Sequence, residues 1–223
     1  MGTTEDAVVW FKTSFGTQIR AAVKNTPITE NLIAAIAMQE TSYLWRSQYK
    51  SRPLDEVLAL CVGDTIDGPT RRAFPQSRAE LEAAPKGKEM FRIARAALEQ
   101  IAKVNASYAR VARNRSKFCH GFGMFQYDLQ FFQQDPTYFL DQRWATFDGT
   151  LGKCIDELKE KIRSTYGKAK KTLSHDESVY VAIAYNKGSV DVKKSFKQGF
   201  KDSSGKYYGE RIDVYMRTAE RLG

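Results

Sequence analysis

Apolar residues recur at helical spacing along most of this chain. Over residues 5–24, Val8, Val9, Phe11, Phe15, Ile19 and Val23 form one stripe before Thr26-Pro27 punctuates the pattern, so a first helix is predicted there. A second, amphipathic helix is predicted from Thr29 as N-cap to about Trp45, with Leu32, Ile33, Ile36, Tyr43 and Leu44 on its apolar face. The longest helical pattern covers residues 88–112, through Met90, Phe91, Ala94, Leu98, Ile101, Val104, Tyr108 and Val111. Another helical stretch is expected from about Thr137 to Ile162. Ser174-His175-Asp176-Glu177 then fits a capping box that opens a helix ending near Gly188, and a last helix runs from roughly Tyr208 to Leu222.

Between Ser51 and Lys88 the period fades. Pro53, Gly63, Gly68, Pro69, Pro75, Pro85 and Gly87 interrupt it, and only Leu54 to Leu60 reads as helix. Because Val57, Leu58, Val62, Ile66, Phe74 and Leu81 still need burial, the region is read as a long irregular insertion, about 46–87, with room for short strands. The expected fold is mostly α, one domain over residues 1–223.

One position breaks the second helix's pattern. In "ENLIAAIAMQET", residues 30–41, the face that carries Ile33, Ile36 and Ala37 next presents Glu40, a carboxylate where an apolar side chain is due. Desolvation disfavours the charged form, so such a carboxyl should hold its proton to higher pH than usual and can serve as a general acid. Cleavage of a glycosidic bond needs a donor of this kind beside a sugar site. On periodicity alone, an inward Glu is more often a salt-bridged or core-edge residue.

Two further segments shift those odds. "GFGMFQ" at 121–126 has two glycines inside an aromatic run, and "AIAYNKG" at 182–188 closes the capped helix. Taken in order with "AIAMQETS" at 35–42, they resemble the three signature motifs of the lysozyme-like lytic transglycosylases, the superfamily that includes the goose-type lysozymes. The resemblance implies a lysozyme-like fold of two lobes around a cleft, with Glu40 as catalytic acid and Thr41 standing where the family has Ser, followed by Ser42. It also implies sugar contacts from Ser42, Gly123, Met124, Phe125, Gln126 and Tyr127. Tyr185 would hydrogen-bond near the acid, while Asn186 would contact an N-acetyl sugar or order the cleft. "YYGERIDVYM" is similar to the family's last helix, where a Tyr lines the site; Tyr207 or Tyr208 is the candidate. The matching stretches cover about a quarter of the chain. Taken singly, each has a plain alternative: a tight turn with Phe122, Met124 and Phe125 as core, or a helix stop at Tyr185 to Gly188.

The family offers no counterpart for "CVGDTIDGP", residues 61–69. A transglycosylase can work with one carboxylate, whereas an inverting hydrolase needs a second to activate water. Asp64 and Asp67 are the candidates for that second carboxylate, with Asp55, Glu56 and Asp128 behind them. Gly63 and Gly68-Pro69 make Asp64 and Asp67 ordinary turn residues as well.

The net charge of +9, from 35 Lys and Arg against 26 Asp and Glu, suits a polyanion without choosing one. No basic stripe or reading helix emerges, so nucleic acid is not the expected partner. A monomer acting on peptidoglycan or a related N-acetylhexosamine polysaccharide is expected. The alternatives are an inverting chitinase- or chitosanase-like hydrolase that pairs Glu40 with an Asp of the 64–67 loop, and a non-catalytic basic helical binding module. Cys61, Cys119 and Cys154 fit no zinc spacing; one bridge with a free thiol and three buried thiols both remain open. With His120 beside Cys119 and His175 in the capping box as the only histidines, neither metal nor other cofactor is expected. No window reaches the length of a membrane span. MGTTEDAVVW shows no signal peptide, although the resemblance implies a periplasmic, extracellular or wall-delivered enzyme.

Overall fold

The computed structural model describes residues 3–223; Met1 and Gly2, which begin the stretch examined for a leader, lie outside the described residues. The protein is mostly helical, with one small sheet. In chain order the helices are α1 Thr4–Ala22, α2 Glu30–Trp45, α3 Leu54–Ala59, α4 Arg78–Ala83, α5 Gly87–Ala102, α6 Ala106–Ala112, α7 Pro136–Leu140, α8 Phe147–Tyr166, α9 His175–Lys187 and α10 Tyr208–Arg221. The strands are β1 Val62–Gly63, β2 Gly121–Phe122 and β3 Tyr127–Asp128. Contacts divide the chain into two compact units, one of residues 1–42 and 151–223 and the other of residues 43–150. Among the described residues no helix is long and apolar enough to cross a membrane.

The first unit takes α1, α9, α10 and most of α2 and α8. Local chemistry sets its helix starts. Thr3 accepts from the Asp6 backbone N–H while the Asp6 carboxylate accepts from Thr3, and Ser174 and Glu177 do the same for α9 as predicted. Thr29 accepts from Leu32 N–H at 3.2 Å at the head of α2. Gly188, with φ 86°, closes α9 in the left-handed conformation that glycine adopts without strain. Helix α10 packs on both α9 and α1. Lys12 fastens the group, its ammonium donating to Asn31 Oδ1 at 3.1 Å and to the Ala219 carbonyl at 3.0 Å.

Helix α2 departs from expectation. It is not amphipathic: every residue from Leu32 to Met38 is buried, as is Thr41. Ala34 and Ala35 lie off the predicted apolar face and are buried all the same, so the helix is enclosed nearly all round over this stretch.

The second unit centres on α5, whose Met90, Phe91, Ala94, Leu98 and Ile101 are buried with Phe118, Phe122, Phe132, Phe139 and Trp144. Two predicted helices are broken here. The 88–112 pattern splits between Ala102 and Ala106 because the Asn105 side chain accepts from the backbone N–H groups of Ser107 and Tyr108, starting α6 afresh. The 137–162 pattern splits into α7 and α8 around Gln142, whose φ of 52° no helix accommodates. Within the 46–87 insertion the structure forms α3, α4 and β1. Helix α4, absent from the predicted elements, starts at Ser77, which accepts from Glu80 N–H. The antiparallel sheet runs β1-β2-β3, pairing Val62 with Phe122, Gly63 with Gly121, and Phe122 with Tyr127. All three cysteines are free and buried.

Candidate active site

Glu40 and Tyr208 meet inside the first unit. The Tyr208 hydroxyl donates to Glu40 Oε1 at 2.7 Å across 168 residues of sequence. Tyr208 is held at both ends, because its backbone N–H also donates to the Phe200 carbonyl at 2.7 Å and its ring is 2% exposed. Tyr207 serves a different purpose, its N–H donating to Glu210 at the start of α10. Of the two tyrosines named from sequence, Tyr208 is therefore the one on the acid.

Burial pushes the Glu40 carboxyl from 4.5 up to about 7, the Tyr208 hydrogen bond pulling the other way. Glu40 as a residue is half-buried and keeps some exposed surface. Burial and the Glu40 charge both push the Tyr208 phenol well up, so it stays a donor. Removing that donor has a calculable sign. Tyr208→Phe withdraws the interaction that favours the carboxylate, so the Glu40 titration should move above about 7, by on the order of one pH unit. Carbon NMR of labelled glutamate carboxyls against pH reads this directly, and a downward shift would contradict the assignment.

Cys154 on α8 also belongs here; the sequence marks it as a buried or bridged cysteine but not as a residue of this site. It is buried and hydrogen-bonded to Tyr185, and burial followed by the Glu40 charge holds its thiol well above the usual range. Its one sequence signal is a place in the apolar stripe of α8 with Leu151 and Leu158, which does not point to Glu40. Tyr185 is thus joined to Cys154, whose thiol feels the Glu40 charge. Asn186 is exposed, and its Oδ1 accepts from Phe200 N–H at 3.1 Å, bracing the loop that leads into Tyr208. Ser42 is 6% exposed, and its hydroxyl returns to the Met38 carbonyl one turn back.

The remaining predicted residues lie in the second unit. "GFGMFQ" forms β2 and the turn into β3, with Gln126 N–H donating to the Gly123 carbonyl at 3.0 Å. Gly123 has φ 80°, and a Cβ there would stand 2.4 Å from Thr150 Oγ1, so only glycine fits. Gly121 leaves room for the Gln126 side chain, whose Oε1 would lie 2.3 Å from an added Cβ. Met124 and Phe125 are buried, leaving Gln126 and Tyr127 as the partly exposed part of the motif. The Gln126 amide donates to the carbonyls of Gly123 and Cys61, and Tyr127 stacks on Phe131 at 4.9 Å.

Asp64 and Asp67 are both ion-paired. Arg71 holds Asp64 at 3.2 Å and Asp128 at 2.6 Å, and Lys117 holds Asp67 at 2.7 Å. Arg71 carries no signal in the sequence, and Lys117 only that of a short basic cluster at 113–117, among 35 basic residues. A cavity of about 750 Å³ opens elsewhere in this unit, with Leu60, Ile93, Val104 and Trp144 among its lining residues. Of the candidate residues named from sequence its lining includes only Glu56, a reserve choice for the second carboxylate, and that side chain pairs with Arg52.

Compared with protein-family models, curated proteins and solved structures, the chain finds no match. Function is therefore argued from the site itself.

Proposed function

We propose that this protein cleaves the glycosidic bonds of peptidoglycan, or of a related N-acetylhexosamine polysaccharide, as a lytic transglycosylase of lysozyme-like fold. The observation that carries this reading is the Glu40 carboxyl, buried, pushed up to about 7 and touched by the Tyr208 hydroxyl. A carboxyl of that kind holds its proton near neutrality and gives up a stable anion on delivering it.

In the proposed reaction Glu40 transfers its proton to the leaving oxygen as the bond to the anomeric carbon breaks. The Glu40 carboxylate then takes the proton of the sugar's own 6-hydroxyl, whose oxygen attacks the anomeric carbon and closes an anhydro ring. Tyr208 stabilises the carboxylate between the two steps. No water is consumed and no second carboxylate is needed. The net charge of +9 suits an anionic wall.

The inverting alternative is less well supported, because its candidate bases Asp64 and Asp67 are ion-paired with Arg71 and Lys117 and no observation singles either out to activate water. Mass analysis of products from purified sacculi and from chitin oligomers separates the readings. Ends lighter than reducing ends by one water are expected, and reducing ends would establish hydrolysis instead. Absence of any cleavage, together with tight, salt-sensitive binding of DNA, would favour a binding module.

A further inference from the structure

The loop 61–69 packs on a histidine that the proposed reaction does not use. His120, just before β2, has no exposed surface, and its ring lies 4.4 Å from that of Phe118. Its Nδ1 is 3.3 Å from the Asp64 carbonyl oxygen, which also accepts its backbone N–H at 2.7 Å. A carbonyl can only accept, so the Nδ1 nitrogen carries the ring proton and Nε2 of the neutral ring presents a bare lone pair.

That lone pair faces another acceptor. His120 Nε2 and Asp67 Oδ1 are 3.8 Å apart, and both are buried atoms without a hydrogen-bond partner. Two facing acceptors in a desolvated place repel each other until a proton comes between them. Among the described residues no group of three His, Cys, Asp or Glu side chains could hold a metal ion in its stead.

We propose that His120 and Asp67 are a proton-operated latch on the loop 61–69. When Nε2 takes a proton from solvent, the pair closes from 3.8 Å to hydrogen-bond distance and draws the loop toward β2. When the ring is neutral, the part of the loop beyond β1 keeps only its other contacts, among them Arg71 on Asp64 and Lys117 on Asp67 and the Thr65 carbonyl.

The groups facing the ring set the direction. Burial disfavours the charged ring, and so does Arg71, while Asp64 and Asp67 favour it. Asp128 tempers Arg71 by pairing with it, and Lys117 tempers Asp67. The latch therefore closes on the acid side of an ordinary histidine's titration.

The test is a titration of the full chain, labelled with ¹⁵N in the histidine rings and ¹³C in the isoleucine methyls, from about pH 8 to about pH 5. Expected at the upper end is a His120 ring protonated on Nδ1 alone. On acidification the methyls of Ile66, an exposed residue of the loop, should shift with the same midpoint as the His120 ring. His175 is an internal reference: burial opposes its charge, but hydrogen bonds to Glu220 and Asp213 outweigh this and raise its titration. In Asp67→Asn the amide can donate to the bare Nε2, so the Ile66 response should vanish and the His120 midpoint should fall by on the order of one pH unit. Three results would each overturn the latch: a ring protonated on Nε2 at neutrality, Ile66 methyls that ignore the His120 titration, or an unchanged Ile66 response in Asp67→Asn. Should the variant fail to fold, the wild-type titration decides alone.

Discussion

Glu40→Gln should reduce cleavage of purified sacculi by roughly 10²- to 10⁴-fold, the range that a positioned general acid contributes. Glutamine keeps the shape of the side chain and an oxygen for the Tyr208 hydroxyl at 2.7 Å, but it has no proton to deliver. Tyr208→Phe retains the acid, so its loss of rate should be much smaller and should come with a shifted pH profile. A Glu40→Gln variant that lyses sacculi at the wild-type rate would remove Glu40 from the mechanism, whatever its titration.

The same substitution should stabilise the fold, which separates a catalytic role from a structural one. The folded carboxyl titrates at about 7 against 4.5 unfolded, so between those values the native state holds a proton that the unfolded state has lost. Wild-type stability therefore falls as pH rises through that window and stays lowered above it, by roughly 3 kcal/mol for a shift of this size. Glutamine carries no charge and escapes the penalty. Calorimetry should find variant and wild type alike below about pH 4, with the variant gaining through the window. A Glu40 whose purpose was a structural ion pair would give the reverse: loss of stability at neutral pH and none in acid.

How much of this could be read in the chain depends on the range of the interaction. Helices α1, α9 and α10 were legible because their signals are local: an apolar period, a Ser174–Glu177 box and a glycine at the stop. The break at Asn105 was hidden because Val104, Tyr108 and Val111 continue the apolar period across a backbone that turns, and the one at Gln142 because glutamine is not a turn-forming residue type. A period reports which side chains need burial, not whether one helix or two bury them. Glu40 was visible as a misplaced charge, and Tyr208 only through resemblance, since nothing local links residues 168 apart. Cys154 carried no signal beyond its apolar stripe. The carboxylates of the 61–69 loop stayed ambiguous for the same reason: their partners are Arg71 and Lys117, and which of many basic residues reaches a given Asp is a tertiary fact.

Arg71→Ala should cost the second unit about 3–5 kcal/mol, the usual consequence of removing one member of a buried ionic network. The Arg71 side chain is 7% exposed, and each of its five N–H donors has an acceptor. Nε donates to the Pro75 carbonyl, Nη1 to Asp64 and Asp128, and Nη2 to the Phe74 carbonyl and Asp128. Truncation would strand two carboxylates and two carbonyls and release the insertion from β3. Arg71→Lys keeps the charge but offers three donors on one atom, which cannot serve four residues in this planar fork, so it should recover only a minor part of the loss. Urea unfolding of the full chain measures both, and a cost below about 1 kcal/mol would make these contacts ordinary surface pairs. The variants also bear on mechanism. If Asp64 were the base of an inverting hydrolase, freeing it from Arg71 would change the rate of water attack. If Glu40 works alone, products from any Arg71 variant that still folds should keep their anhydro ends, because the residues that make them lie on α2 and α10.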